Sequence, residues 1–273
     1  MSSFTNESVQ AVQAVQAVQS VQSVQSVPSV QAVQSVQSVQ AVQAKQPIII
    51  SIEGNIGSGK SSILHHLEKY YDYTDRGHNI IFLKEPVDEW STICDASGET
   101  ILSKFYKNPR EYAFAFQIMA YATRLNVLRK TIAANPECKI LICERSLEAD
   151  KQIFANMLHD DGLIDSVSYQ IYCRNFSEYA PDFNVAKVVY IDASPEKCFS
   201  RIAKRSRNGE TNIELEYLQK CKKYHDEWLM VDGLAKNRNI LHLNTDADVE
   251  YNLNDLNDLG ISWIIQIIQF LNA

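Results

Sequence analysis

The sequence lacks the cysteine patterns and the long apolar runs that mark secreted, zinc-binding or membrane-spanning proteins. Its six cysteines form no C-x-x-C pair and no zinc-like spacing: Cys94, Cys138, Cys143, Cys173, Cys198 and Cys221. Isolated thiols of this kind are typical of reduced intracellular proteins. No apolar stretch is long enough to cross a bilayer, and the first residues show neither a secretory signal nor the arginines of a transit peptide. We therefore expect a cytoplasmic protein with no membrane partner.

An excess of positive charge is also missing. Asp and Glu number 33 against 26 Lys and Arg, which gives a net charge of −7 and a pI of about 5.4. General nucleic-acid binders carry a basic patch or stripe, so we expect no nucleic-acid partner. A local basic pocket is still compatible with this balance.

The amino-terminal stretch has almost no charge and, after Phe4, no aromatic residue. A valine recurs every third residue from Val9 to Val42, followed by Gln-Ala or Gln-Ser, and Pro28 alone replaces a glutamine. A period of three matches neither a helix nor a strand, and on a helix the valine stripe would rotate by ~60° per triplet. We predict a low-complexity, disordered tail over residues 1–45 and one folded domain over residues 46–273. A self-associating, β-prone segment is the alternative for the tail.

A glycine-rich turn follows the first apolar run, Ile48 to Ile52. It fits G-x-x-x-x-G-K-[ST] and comprises Gly54, Asn55, Ile56, Gly57, Ser58, Gly59, Lys60 and Ser61. Glycines let backbone N–H groups point at phosphate oxygens, and the helix that follows directs its positive end at the same anion. Lys60 supplies a charge to the β- and γ-phosphates, and the Ser61 hydroxyl can ligate Mg²⁺. The motif indicates that a nucleoside triphosphate binds here.

Apolar runs alternate with helical patterns along the rest of the chain. Further strands are predicted over residues 79–83, 139–143, 185–191 and 239–243, and helices over 62–71, 109–134, 147–158, 164–179, from 195, from 214 past 228, and over 256–271. This alternation predicts an α/β fold with a five-stranded parallel sheet covered by helices on both faces. Ligands bind at the carboxyl ends of such strands, so Gly54, Glu85 and Glu144-Arg145 should converge on one cleft.

Two acidic positions at predicted strand ends suit phosphoryl transfer. Glu85, fixed in an extended backbone by Pro86, can accept a proton from an attacking hydroxyl. Glu144 can hold Mg²⁺, and Arg145 can bridge the acceptor hydroxyl and the migrating phosphoryl group. The alternatives are a solvated acid at Glu85 and a structural ion pair at Glu144-Arg145.

Three arginines are concentrated at the end of one predicted helix. Arg201 and Arg205 share a helix face, and Arg207 follows before Asn208-Gly209. Guanidinium groups neutralise a transferring phosphoryl group well, which favours a lid that closes over the phosphates. A solvated basic face is the alternative.

Taken in order, these motifs resemble one family, the deoxynucleoside kinases of the deoxycytidine/deoxyguanosine kinase type. The resemblance covers nearly all of residues 47–250. It rests on the glycine-rich loop, Glu85-Pro86-Val87-x-x-Trp90, Phe116-Gln117, Glu144-Arg145-Ser146, and Arg201-x-x-x-Arg205-x-Arg207-Asn208-x-Glu210. It implies a P-loop kinase fold with a helical lid, and a homodimer. Glycine at position 209, where many relatives carry a second acid, departs from the pattern and puts the tightness of the lid in doubt.

The resemblance also implies roles for individual residues. Glu85 would be the general base, Arg145 would hold the 5′-hydroxyl and the phosphoryl group beside Lys60, and Ser61 and Glu144 would serve Mg²⁺. The remaining nucleoside contacts would be Gln117, Phe154, Trp90 and Phe116 for the base, and Tyr106 and Glu210 for the 3′-hydroxyl. The donor, ATP or another nucleoside triphosphate, would meet the glycine-rich loop, Arg201, Arg205, Arg207, Asp248 and Val249.

Two charged positions bear on which nucleoside is accepted. Arg124 lies two helical turns after Gln117, and Asp150 lies six residues after Glu144. In the family, an arginine and an aspartate at these places pair near the base edge. The family pair favours deoxycytidine or deoxypurines over thymidine, since a thymine methyl and its carbonyl pattern would leave a buried charge unpaired at a cost of ~3–5 kcal/mol. The resemblance therefore implies that deoxycytidine, deoxyadenosine or deoxyguanosine is preferred over thymidine.

Two other functions fit a glycine-rich phosphate loop. A nucleoside monophosphate kinase of the thymidylate type would use the same scaffold, but an acceptor that already carries a phosphate needs basic residues where Glu85 stands. A non-catalytic nucleotide-binding protein, with the repeat as its working part, would be expected to have lost Lys60, Glu85 or Arg145. All three are present, which favours the kinase of deoxynucleosides in nucleotide salvage.

Overall fold

Five parallel strands form the centre of the molecule. In the computed structural model they lie in the order β2-β3-β1-β4-β5. Their bounds are β1 (Ile48–Gly54), β2 (Ile80–Leu83), β3 (Ile140–Glu144), β4 (Val185–Asp192) and β5 (Ile240–Asn244). Every pairing between these neighbours is parallel. The predicted five-stranded parallel sheet is confirmed for the part of the chain that the structure describes.

The structure describes residues 46–73, 79–207, 209–252, 254–255 and 257–273. They fall within one compact unit that runs from position 45 to 273. The predicted tail over residues 1–45 lies outside the described residues, so both its disorder and the boundary at residue 45 stay predictions. Across the described ranges, no helix has the length and apolar character needed to span a bilayer.

Ten helices accompany the strands in the described residues. They are α1 (Lys60–Tyr73), α2 (Val87–Trp90), α3 (Ile101–Lys107), α4 (Pro109–Ala134), α5 (Leu147–Ala149), α6 (Asn156–Asp160), α7 (Ser166–Tyr179), α8 (Pro195–Arg205), α9 (Leu215–Asp226) and α10 (Leu259–Asn272). Helices α5 and α6 are joined by the π-helical segment Asp150–Ala155, and a second π-helical segment, Glu227–Gly233, follows α9. A 3₁₀ turn, Ala180–Phe183, precedes β4.

Capping side chains fix where several helices begin. The Asp165 carboxylate accepts the Val167 and Ser168 N–H groups of α7, and the Asp258 carboxylate accepts the Ile261 N–H group of α10. These helices therefore begin at Ser166 and Leu259, slightly later than the apolar pattern predicts. The two short helices α2 and α3 were not predicted, because they are shorter than the window over which helical periodicity can be read.

Helices cover both faces of the sheet, as predicted. Ile50 and Ile52 of β1 pack with Leu64 of α1 and Ile264 of α10 in one core layer. Ile49 belongs to the opposite layer, formed mainly by α4 and α7. Because β1 is the central strand, it is buried on both sides, which explains why four of its seven residues are isoleucines.

The strand order decides where the site lies. β3 pairs with β1 on one side, with Ile52 opposite Glu144, and with β2 on the other, with Leu83 opposite Cys143. The carboxyl ends of β1, β2 and β3 are therefore adjacent. The glycine-rich loop, Glu85 and Glu144-Arg145 leave the sheet at one edge, as the sequence predicts.

Candidate active site

A cavity of about 440 Å³ opens at this edge of the sheet. Every predicted site residue lines it except Gly54 and Asn55. Asn55 turns its side chain away, because its amide donates to the carbonyl oxygen of Leu218 at 2.8 Å. The structure thus brings together residues spread from position 56 to 249 of the chain.

The glycine-rich loop needs its glycines for two reasons. Gly54, Gly57 and Gly59 have φ angles of +148°, +80° and +105°, which side chains rarely adopt. A Cβ atom on Gly54 would lie 2.3 Å from the Ile191 carbonyl oxygen, and one on Gly57 would lie 2.7 Å from that of Cys198. The loop is thus packed against β4 and α8, and α1 begins at Lys60 immediately after it. The amino-terminal end of α1 therefore faces the cavity, as anion binding requires.

Lys60 is a buried cation at the floor of this loop. Its Nζ donates to the Asn55 carbonyl oxygen at 2.7 Å, and only 5% of the residue is exposed. Burial and the nearby Arg145 charge lower the pKa of Lys60 to about 8. A phosphate group placed in the loop would favour the charged form and restore that pKa.

Ser61 and Glu144 form an oxygen pair beside the loop. The Ser61 hydroxyl donates to Glu144 Oε1 at 2.7 Å, and both side chains line the cavity. Mg²⁺ prefers such hard oxygen ligands and commonly takes one or two carboxylates together with substrate phosphates. The two residues therefore fit the ion that the sequence predicts for them.

Glu85 lies between two guanidinium groups. Its Oε1 is 2.9 Å from Arg124 Nη2 and 3.2 Å from Arg145 Nε. Burial raises the pKa of Glu85, but the charges of Arg145 and Arg124 outweigh it and lower the pKa to about 2. The carboxylate is thus ionised at any physiological pH, and the two guanidinium groups fix its orientation at the wall of the cavity.

Arg145 is held in an unusual conformation immediately after β3. Its φ angle is 64°, in the left-handed region. Its guanidinium carbon lies 4.9 Å from the centre of the Phe154 ring, within the range of a cation–π contact. Its Nη1 is buried and has no hydrogen-bond partner among the described residues. A buried guanidinium donor without a partner beside the phosphate loop suits an incoming phosphoryl oxygen.

Arg124 and Asp150 form the pair that the sequence predicts. Arg124 Nε and Nη2 lie 2.9 and 3.3 Å from the two Asp150 oxygens, and both residues are almost fully buried. Arg124 Nη1 also donates to the Glu144 carbonyl oxygen at 3.1 Å. Burial raises the pKa of Asp150, while the Arg124 charge opposes this shift. Since Arg124 also contacts Glu85, one side chain links the predicted base-recognition and catalytic positions.

The amide of Gln117 is oriented by the same region. Its Nε2 donates to the backbone carbonyl of Asp150 at 3.0 Å, and the residue is 2% exposed. Gln117 and Asp150 both line the cavity. This places an amide side chain next to the Arg124–Asp150 pair.

An aromatic wall closes this end of the cavity. Trp90 packs edge-on against Phe116 with ring centres 5.5 Å apart, and its indole donates to Thr123 at 2.9 Å. Phe105 stacks on the other side of Phe116 at 4.7 Å. Sequence reasoning missed Phe105, together with Leu102, Tyr217, Thr245, Tyr251 and Trp263, which also line the cavity. Phe105 lies on α3, a helix too short to be recognised from its pattern.

The predicted lid residues divide into two groups. Arg205 contacts one oxygen of Glu210, and Arg207 Nη1 lies 3.2 Å from the other. Arg201 instead donates to backbone carbonyls of Ser58, Thr245 and Ala247 at 3.2, 2.9 and 2.7 Å. Arg201 therefore fastens the glycine-rich loop to the segment after β5, whereas Arg205 and Arg207 are held by an acid.

The remaining predicted residues lie at the two ends of the cavity. Asp248 accepts from Lys197 at 2.9 Å beside Arg201, and Val249 follows it. Tyr106 packs edge-on against Tyr217 with ring centres 5.8 Å apart. Burial raises the pKa of Tyr106, and the charge of Glu210 adds to this shift. Tyr106 and Glu210 are thus near neighbours, as a shared sugar contact requires.

Comparisons with known proteins identify relatives of this arrangement. Residues 50–266 match the family described as "Deoxynucleoside kinase". The chain is 34% identical over 203 residues to the "Probable deoxycytidine kinase" of fowlpox virus, covering 73% of this chain and 79% of that protein. It is 31% identical to "Deoxycytidine kinase 2" of Gallus gallus, with 66% and 73% covered. It is 27% identical to the mitochondrial deoxyguanosine kinase of Xenopus laevis, with 74% and 83% covered.

Proposed function

This chain belongs to the deoxynucleoside kinase family, and we propose that it transfers the γ-phosphoryl group of ATP to the 5′-hydroxyl of a deoxynucleoside in nucleotide salvage. Deoxycytidine, deoxyadenosine or deoxyguanosine is the preferred acceptor, ahead of thymidine. The observation that carries this proposal is the Glu85 carboxylate, held ionised between Arg124 and Arg145 beside the phosphate loop. The cytoplasmic location and the homodimer stay predictions, although Val167 and Ile171 of α7 are exposed apolar side chains available to a second copy.

At the acceptor end, Glu85 orients the 5′-hydroxyl and takes its proton. A carboxylate with a pKa of about 2 is a weak base. Phosphoryl transfer passes through a loose transition state in which the attacking oxygen has formed little bond, so position matters more than basicity. Arg145 contributes the Nη1 donor that has no partner among the described residues, and this donor stabilises the transferring group.

At the donor end, the glycine-rich loop and Lys60 hold the β- and γ-phosphates. Ser61 and Glu144 would hold Mg²⁺, which neutralises charge on the phosphates when bound. Arg205 and Arg207 close over the transferring group after they exchange Glu210 for phosphate oxygens. Glu210 and Tyr106 then meet the 3′-hydroxyl of the sugar, and Asp248 and Val249 lie beside the donor base.

The base is selected at the end formed by Gln117, Arg124 and Asp150. A side-chain amide offers both a donor and an acceptor to a base edge. The buried Arg124–Asp150 pair disfavours a thymine, whose methyl group and carbonyl pattern would leave one of the two charges without a partner. Phe154 stacks on the base, and Trp90 and Phe116 shape its pocket.

The decisive experiment measures phosphate transfer from ATP/Mg²⁺ to each of the four deoxynucleosides and, in parallel, to their monophosphates. Glu85→Gln should lower kcat by about 10²–10⁴-fold on the preferred deoxynucleoside. Glu89→Gln, an exposed acid in the same segment that does not line the cavity, is the matched control and should leave kcat unchanged. Transfer only to monophosphates would refute the role of Glu85 and favour a monophosphate kinase. Thymidine as the best acceptor would refute the role given to Arg124 and Asp150.

A further inference from the structure

The backbone of Arg145 needs an explanation beyond its guanidinium contacts. A φ angle of 64° is disfavoured for a residue with a long side chain. Conformations of this kind persist only where the surrounding structure fixes them, and they cluster at functional sites. The question is which groups hold this turn.

Hydrogen bonds from β1 hold the turn on both sides. The Arg145 N–H donates to the Ile52 carbonyl oxygen at 3.1 Å. The backbone N–H and the hydroxyl of Ser146 both donate to Glu53 Oε1, at 2.9 and 2.6 Å. The Ser146 hydroxyl also accepts from the Ala149 N–H at 3.1 Å and so begins α5. Consecutive residues of β1 therefore anchor the two consecutive peptide groups around Arg145.

Glu53 is unusual for a residue that has no contact with the cavity. It is completely buried and does not line the site. Burial raises its pKa, and its Oε2 has no hydrogen-bond partner among the described residues. Burying a carboxyl group is costly, and Glu53 has no contact with the cavity that would account for that cost. The two hydrogen bonds that it accepts from Ser146 do account for it.

We propose that Glu53 is a positioning residue for the phosphoryl transfer. Through Ser146, it fixes the turn that aims the Arg145 guanidinium at Glu85, 3.2 Å away, and over the Phe154 ring. What the turn needs from Glu53 is an accepting oxygen. This inference rests on the role proposed above for Arg145.

The test measures kcat, KM and Tm with ATP/Mg²⁺ and the deoxynucleoside that the enzyme turns over fastest. Glu53→Met keeps the side-chain length but removes the acceptor, and we expect kcat to fall about 100-fold, because a small misplacement of a catalytic group costs that much. KM should change little. Glu53→Gln keeps an accepting oxygen for both Ser146 donors and should recover most of the rate. Ser146→Ala, which retains the backbone donor, should show a smaller loss in the same direction.

A double-mutant cycle separates positioning from a merely structural role. If Glu53 acts through Arg145, Glu53→Met should have no further effect on kcat in an Arg145→Gln background. Lys187→Met removes contacts to the Phe270 and Leu271 carbonyls, at 2.9 and 3.2 Å, away from the cavity. It should lower Tm and leave kcat unchanged.

Two outcomes would overturn this inference while leaving the role of Arg145 intact. One is a folded Glu53→Met enzyme whose kcat is close to that of the wild type while Arg145→Gln is slow. The other is an equal loss from Glu53→Met in both backgrounds. A wild-type rate for Arg145→Gln itself would overturn the role proposed for Arg145, and this inference with it.

Discussion

Arg124 offers a quantitative test of how the acceptor end is held together, through the substitution Arg124→Met. The change keeps a long side chain and removes the charge together with the contacts to Asp150, Glu85 and the Glu144 carbonyl. Glu85 retains Arg145 at 3.2 Å. Asp150 is 2% exposed and forms no second ion pair with the described residues. It is therefore the residue that the substitution leaves buried without a charged partner.

The expected loss of stability is large. Breaking a buried ion pair costs about 3–5 kcal/mol, and one kcal/mol shifts Tm by about 2–4 °C in a domain of this size, so Tm should fall by about 6–20 °C. The double variant Arg124→Met/Asp150→Asn leaves no buried charge at this pair. It should regain at least ~2 kcal/mol of the free energy of unfolding relative to Arg124→Met.

The loss should also depend on pH. Burial raises the pKa of Asp150, and Arg124 opposes this shift, so its removal raises the folded-state pKa further above the unfolded value. The folded variant then binds a proton that the unfolded chain has lost. Its free energy of unfolding therefore falls as pH rises above the unfolded pKa of about 3.9.

Urea unfolding of the wild type, Arg124→Met and the double variant at pH 5, 6.5 and 8 tests both parts. We expect the loss of unfolding free energy in Arg124→Met, relative to the wild type, to grow from pH 5 to pH 8. The unfolding free energy of the double variant should lie between those of the other two proteins. A double variant no more stable than Arg124→Met, or a deficit independent of pH, would refute the reasoning.

Two further predictions concern the glycine-rich loop. Burial and the Arg145 charge lower the pKa of Lys60 to about 8, so Lys60 loses its charge above pH 8. The KM for the donor should therefore rise about 10-fold from pH 7 to pH 9. A donor KM that does not change with pH would contradict this prediction. Gly57→Ala puts Cβ 2.7 Å from the Cys198 carbonyl oxygen, whereas Gly98→Ala, at nearly the same φ, meets nothing within 4 Å. Both carry ~1–2 kcal/mol of strain, but Gly57→Ala should lower Tm further and weaken donor binding. Equal Tm values for Gly57→Ala and Gly98→Ala would argue against a clash between the added Cβ and the Cys198 carbonyl oxygen.

The features that were predictable from sequence depend on local rules. The strands are mainly apolar runs, because a parallel strand buried on both faces favours apolar side chains. The glycine-rich loop has a fixed spacing, because backbone N–H groups must converge on one anion. The rule that ligands bind at strand carboxyl ends then placed Glu85 and Glu144 at one cleft without any knowledge of the strand order.

The features that could not be predicted depend on tertiary neighbours. Arg201 shares a helix with Arg205, and nothing in the sequence distinguishes the arginine that binds backbone carbonyls from the one that contacts Glu210. Glu53 reads as one more residue of a strand until Ser146 is seen 93 positions later and within hydrogen-bond distance. Phe105 becomes part of the site only because α3 packs it against Phe116.

The same tertiary pairing explains how an acidic protein can hold a cavity lined by many cations. The chain carries a net charge of −7, yet the charged residues lining the cavity are six cations and five carboxylates, namely Lys60, Arg124, Arg145, Arg201, Arg205 and Arg207 with Glu85, Glu144, Asp150, Glu210 and Asp248. Buried cations left without a partner would be costly in the free protein. Carboxylates supply partners to Arg124, Arg145, Arg205 and Arg207. Under the proposed function, Glu210 would exchange its two arginines for the sugar when a triphosphate binds. Donor and acceptor binding would then be linked through Glu210.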